Sequence, residues 1–168
     1  MKTSLLALFL VTLSIVPSAS IPALAADATG TPDAAIYDTT ANTVSQISDA
    51  LKLARETNKN VLIQWGANWC VWCRSLHRLM SSDSLVRAVL DSSFVVVLAD
   101  VGVKGKNADL MAKYGVERKQ GIPFLTVLKQ NGEVLVNQET GSLETGDTTN
   151  KGHDRDKVLR FLRKYTPR

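Results

Sequence analysis

Cysteine is nearly missing from this chain. Two stand among 168 residues, three positions apart, at Cys70 and Cys73. That excludes a small disulfide-stapled scaffold, which spreads its bridges along the chain. A bridge across so short a loop also adds little stability in the chain-entropy account. Histidine is equally scarce, with only His77 and His153. A structural zinc site takes four ligands, so no metal is expected. Charge of one sign is lacking too: 20 Lys and Arg against 16 Asp and Glu leave +4. That balance is too mild to argue for nucleic acid or an anionic membrane. The one basic cluster, Arg155, Lys157, Arg160, Arg163, Lys164 and Arg168, reads as a solvated helix face whose last turn favours cations. No glycine loop of phosphate-cradling type occurs, and no paired carboxylates suited to hydrolysis.

Long apolar runs are limited to Leu5–Val16, behind the single charge of Lys2. Pro17 ends the run, and Ala23-Leu24-Ala25 offers small residues at a cleavage spacing, the layout of a secretory signal peptide. A membrane anchor is the rival reading, but a run of roughly 12 residues falls short of the ~20 a spanning helix needs. The expected organisation is therefore a signal peptide over 1–25, a flexible lead-in over 26–42 and one domain over 43–168. A periplasmic or secreted location is expected, with no stable membrane insertion once the signal is removed.

Along the domain, Thr43 and Gln46 stand at capping-box spacing ahead of Val44, Ile47, Leu51 and Ala54, which predicts a helix closed by Asn58 and Asn60. Val61–Trp65 reads as a strand, and a helix follows from Cys70 to about Ser82. Asp83 caps a further helical stretch. Phe94–Asp100 reads as a buried strand. Asn107 is placed to cap a short helix that stops at Gly115. Phe124–Leu128 and Glu133–Asn137 flank Gln130-Asn131-Gly132 as a hairpin. Thr140–Gly152 reads as a polar loop. Asp154 caps a last helix with Val158, Leu159, Phe161 and Leu162 inward. The order predicts an α/β fold: a mixed sheet with parallel and antiparallel pairs, covered by helices on both faces.

A Cys-x-x-Cys pair opening a helix just after a strand has a chemical use. Unpaired N–H groups and the positive end of the helix dipole favour a thiolate, and thiolate is the nucleophile. The spacing leaves the second thiol able to attack a mixed disulfide formed by the first. Cys70, nearer the turn, is expected exposed and attacking. Cys73, one turn in, is expected buried and resolving. Haem attachment is excluded, because Arg74 and not histidine follows Cys73. Trp65 reads as core. Trp69, beside the nucleophile, suits peptide contact.

The stretch Ile63-Gln64-Trp65-Gly66-Ala67-Asn68-Trp69-Cys70-Val71-Trp72-Cys73-Arg74 resembles the active-site segment of thioredoxin-family proteins. Gly121-Ile122-Pro123 resembles the cis-proline loop of the same family. The resemblance covers roughly Thr43 to Tyr165 and implies a thioredoxin fold with an N-terminal helix extension. It also implies a cis Pro123 beside the sulfurs and an Ile122 backbone able to pair with an extended substrate. Gln64 stands where thioredoxins carry a buried aspartate, and Val71-Trp72 replaces Gly-Pro between the cysteines. The leading Trp69-Cys70-Val71 and the long helix before the motif look closer to exported thioredoxin-like proteins and to the soluble C-terminal domain of membrane thiol:disulfide interchange proteins. Gln64, Arg74 and His77 are candidates for tuning the thiols.

The expected function is an exported thiol–disulfide oxidoreductase without cofactor, leaning to reduction or interchange. Its partners would be protein or peptide thiols and disulfides, with a membrane thiol reductase as electron donor, and it would act as a monomer. Two other readings stay open: a peptide-binding module without turnover, and a metal chaperone using Cys70, Cys73 and His77.

Overall fold

The structure is a computed structural model that describes residues 35–147, 149 and 152–167. The expected signal peptide and residues 26–34 of the lead-in lie outside the described residues. Among those described, no helix is long and apolar enough to cross a membrane.

Helix α1 spans Thr43–Thr57 and strand β1 spans Asn60–Gly66. Helices α2 (Val71–Ser82) and α3 (Ser84–Ser93) lead into strand β2 (Phe94–Asp100). Helix α4 (Ala108–Lys113) precedes strands β3 (Phe124–Leu128) and β4 (Val134–Glu139), and α5 (Arg155–Lys164) closes the chain. The sheet runs β2-β1-β3-β4. β1 pairs parallel with β2 and antiparallel with β3, and β3 pairs antiparallel with β4 across the predicted hairpin.

Every residue of β1 is buried, as a strand between two helical layers demands. Side chains alternate between the faces. Val61, Ile63 and Trp65 join Ile47, Ala54 and Met111 on the face covered by α1 and α4. Leu62 joins Leu76, Val86, Leu159 and Phe161 on the face covered by α2, α3 and α5. The inward stripe of α5 is as expected from its spacing, with Val158, Leu159, Phe161 and Leu162 all buried.

Three local expectations are corrected. Asn42, not Thr43, caps α1: its Oδ1 accepts from Ser45 N at 3.1 Å. The Thr43 hydroxyl instead accepts from Asn107 Nδ2 at 2.9 Å. Asn107 spends its other amide hydrogen on Asp100 O and makes no side-chain cap to α4. The third correction concerns the lead-in. Residues 35–42 are docked, not loose: Tyr37 is 1% exposed, and its backbone is held by Asn68. A sequence of small and polar residues gave no sign of this, because the anchor for Tyr37 lies about thirty positions away.

Candidate active site

Strand β1 ends at Gly66, and the short turn through Asn68 carries the chain into α2. Cys70 occupies the N-cap of that helix, and its Sγ accepts from Cys73 N at 3.1 Å. A sulfur here takes a hydrogen bond from an otherwise unpaired N–H and faces the positive end of the helix dipole, both of which favour thiolate. Cys70 and Cys73 are joined in a disulfide with Cα atoms 5.2 Å apart. Neither sulfur is open to solvent as freely as Cys70 was expected to be: Cys70 is 6% exposed and Cys73 0%. Packing by Tyr37, Trp72, Leu98 and Ile122 accounts for the cover.

The peptide bond between Ile122 and Pro123 is cis. The loop lies against the disulfide, with Cys70 Sγ 3.7 Å from Ile122 O. Thr140 braces it from behind, its hydroxyl donating to Pro123 O at 2.6 Å. Trp69 stands 66% exposed beside Cys70, its ring N–H donating to Gly102 O at 3.1 Å. Val71 and Val103 are also exposed and large. Trp69 and Val71, the chain neighbours of Cys70, put exposed apolar surface beside the disulfide.

Gln64 points toward α2, the same side as Leu62. Its Nε2 donates to Tyr37 Oη at 2.6 Å and to Cys73 O at 3.3 Å, while its Oε1 has no partner among the described residues. Arg74 Nη1 donates to Asn68 O at 3.4 Å. His77 lines a side cavity of about 470 Å³ with Met80, Arg87 and Leu90. Neither cysteine borders it, and burial lowers the His77 pKa. Among the described residues no three metal-ligating side chains converge, so Cys70, Cys73 and His77 do not form a common metal position.

Four contributors escaped the sequence reading. Tyr37 and Asn68 act together: Asn68 Oδ1 accepts from the backbone N–H groups of Ile36 and Tyr37, both at 2.9 Å, and its Nδ2 donates to Tyr37 O. The pair Ile36-Tyr37, bulky residues in an otherwise small and polar stretch, was the available signal. Thr140 is the third. His153 is the fourth: it pairs with Glu144 in an isolated bridge. The His153 ring meets Trp72 edge-on at 5.8 Å, and neither ring nitrogen has a partner among the described residues.

A mixed sheet between helical layers, a disulfide at the N-terminus of the helix after β1, and a cis-proline loop against it define the class of thiol–disulfide oxidoreductases with a thioredoxin fold. A family profile described as thioredoxin-like matches residues 42–130, and the chain belongs to that family. The crystal structure of disulphide isomerase from Xylella fastidiosa Temecula1 is 29% identical, covers 77% of this chain and 95% of its own, and superposes with a TM-score of 0.66. The oxidised C-terminal domain of DsbD from Neisseria meningitidis is 17% identical, with 76% of this chain and 97% of that one covered at a TM-score of 0.52. That likeness is one of fold. Among curated proteins, the thiol:disulfide interchange protein DsbD of Ralstonia nicotianae is 34% identical over 70 residues, 42% of this chain. DsbD 1 of Pseudomonas aeruginosa is 40% identical over 48 residues, 29% of this chain. The aligned part spans only 11% and 8% of those two relatives.

Proposed function

We propose that this chain is an exported thiol–disulfide oxidoreductase working by reduction or interchange. Cys70 attacks a substrate disulfide, and Cys73 resolves the mixed disulfide that forms. The observation that carries the reading is the Cys70–Cys73 disulfide at the N-cap of α2, with Cys70 Sγ against the Ile122 carbonyl. An extended substrate chain pairs with the Ile122-Pro123 backbone by strand addition, and its side chains rest on Trp69 and Val71. The substrates are protein or peptide disulfides, and no cofactor enters the cycle. The signal-like segment over residues 1–25 supports export to the periplasm or beyond, and residues 35–42 dock onto the domain over 43–168. A dithiol working there needs renewal, and the kinship with thiol:disulfide interchange proteins supports a membrane thiol reductase as donor. The protein acts as a monomer.

Reduction of insulin disulfides tests this reading. Wild type should turn over and Cys70→Ala should not; equal rates in the two would refute it. The redox potential tests the direction: about −270 mV suits a reductant and about −120 mV an oxidant. A module that binds peptide without turnover would bind equally well in both forms and reduce nothing.

A further inference from the structure

As the resolving thiol of an oxidoreductase, Cys73 faces two opposed demands. It is fully buried, and burial favours the neutral thiol. Yet it attacks only as thiolate. A polar group inside the protein has to meet the sulfur.

Two fully or almost fully buried polar side chains border it. Gln64 is 0% exposed and Tyr37 1%. A methyl group placed on Gly66 would run into both Tyr37 Oη and Cys73 Sγ. The hydroxyl and the sulfur therefore border one point above the end of β1. Gln64 Nε2 donates to Tyr37 Oη, which makes that oxygen an acceptor and leaves its own hydrogen to be given elsewhere. Among the described residues no acceptor takes that O–H, Cys73 Sγ of the closed disulfide included, although the sulfur borders the same point. Burial also pushes the Tyr37 pKa far up, so the group keeps its proton and serves as a donor, not a base.

We propose that the Tyr37 hydroxyl is the hydrogen-bond donor to the Cys73 thiolate in the resolving step, with Gln64 aiming it, a role that rests on the oxidoreductase reading. The step balances without an outside oxidant. The Cys73 thiol gives up its proton, and its sulfur attacks Cys70 Sγ of the mixed disulfide. The Cys70–Cys73 bond forms and the bond from Cys70 to the substrate sulfur breaks. The substrate leaves as a thiol carrying that proton, taken directly or through water. The charged and titratable groups nearby are Asp100, paired with Lys106 at 2.6 Å, the exposed Asp38, Arg74, and the two histidines, both shifted toward neutral by burial. All are the same in wild type and Tyr37→Phe, so a difference between them reports the hydroxyl.

The test is single-turnover reaction of the fully reduced protein with the aromatic disulfide 5,5′-dithiobis(2-nitrobenzoic acid). The first coloured thiolate reports attack by Cys70, and the second reports resolution by Cys73. Tyr37→Phe should leave the first phase within about twofold. It should slow the second roughly tenfold to a hundredfold at pH 7 and move its pH midpoint up by about one to two units, the size of a hydrogen bond to a charged group. Gln64→Leu, which keeps Tyr37 but removes its amide partner, should shift the second phase the same way by less. Equal slowing of both phases means a structural role and overturns the proposal, as does an unshifted second phase in either folded variant. Absence of any Cys70-dependent first phase in wild type would instead bring down the oxidoreductase reading itself.

Discussion

Replacing Asn68 with alanine should release the segment that carries Tyr37 while leaving the domain folded. One side-chain amide makes three hydrogen bonds to that segment, each of 2.9 Å: from Ile36 N, from Tyr37 N and to Tyr37 O. A neutral hydrogen bond is worth about 1 kcal/mol net, so the substitution should cost about 3 kcal/mol of docking, additivity being approximate. The Tyr37 ring stays as the remaining anchor, with ~1.5–3 kcal/mol from burial of a large side chain. The segment then sits near balance between docked and open. Native-state hydrogen exchange reads this directly. Protection of the Ile36 and Tyr37 amides should fall roughly a hundredfold, at 1.36 kcal/mol per tenfold, while amides in the centre of β1 change far less. Protection at Ile36 and Tyr37 within about twofold of wild type would refute the reasoning, because the three bonds would then contribute nothing to docking. If β1 lost protection equally, the segment and the domain would be a single cooperative unit, and the idea of a separately docked strap would fail.

Thr126→Val should destabilise the fold by about 2–3 kcal/mol, measured by urea denaturation. Its buried hydroxyl accepts from Trp65 Nε1 at 3.0 Å and donates to Asn137 Oδ1 at 2.8 Å, and the valine leaves the indole N–H unpaired in the core. Burial holds His153 down to about 4, against ~6.5 in an unfolded chain. The unfolded chain therefore binds the extra proton between those values, so the stability tied to neutral His153 is complete above ~6.5 and is lost as pH falls toward about 4. His77, also shifted down by burial, acts in the same direction. His153→Phe should narrow the gap between urea midpoints at pH 4.5 and pH 7; an unchanged gap would show that His153 does not titrate with unfolding.

The site was legible where chemistry and local structure coincide. Cys70 and Cys73 announce themselves because a helix N-terminus needs only neighbours in sequence to form, and Asp83, Asp154 and Gly115 were read as helix signals for the same reason. The Gly121-Ile122-Pro123 turn was found through resemblance, since nothing local distinguishes a cis proline from a trans one. Caps at Thr43 and Asn107 were misread because both side chains found tertiary partners, in fact each other. A hydroxyl or amide goes to the best acceptor or donor in space, and sequence spacing ranks only the local ones.

By itself, the sequence determined the periodicities that make two-faced helices, the strand over Val61–Trp65, and the redox pair with its place at a helix start. Only the tertiary structure decided what surrounds the sulfurs. Tyr37 reaches Gln64 and Cys73 because Asn68 seizes its backbone. His153, bridged to Glu144, meets Trp72. Thr140 supports Pro123 across 17 positions of chain. Such contacts gain energy only after the sheet has brought distant segments together and the loop-closure entropy has been met. The residues that govern the pair's protons and reach are therefore set by folding, while the pair itself is written locally.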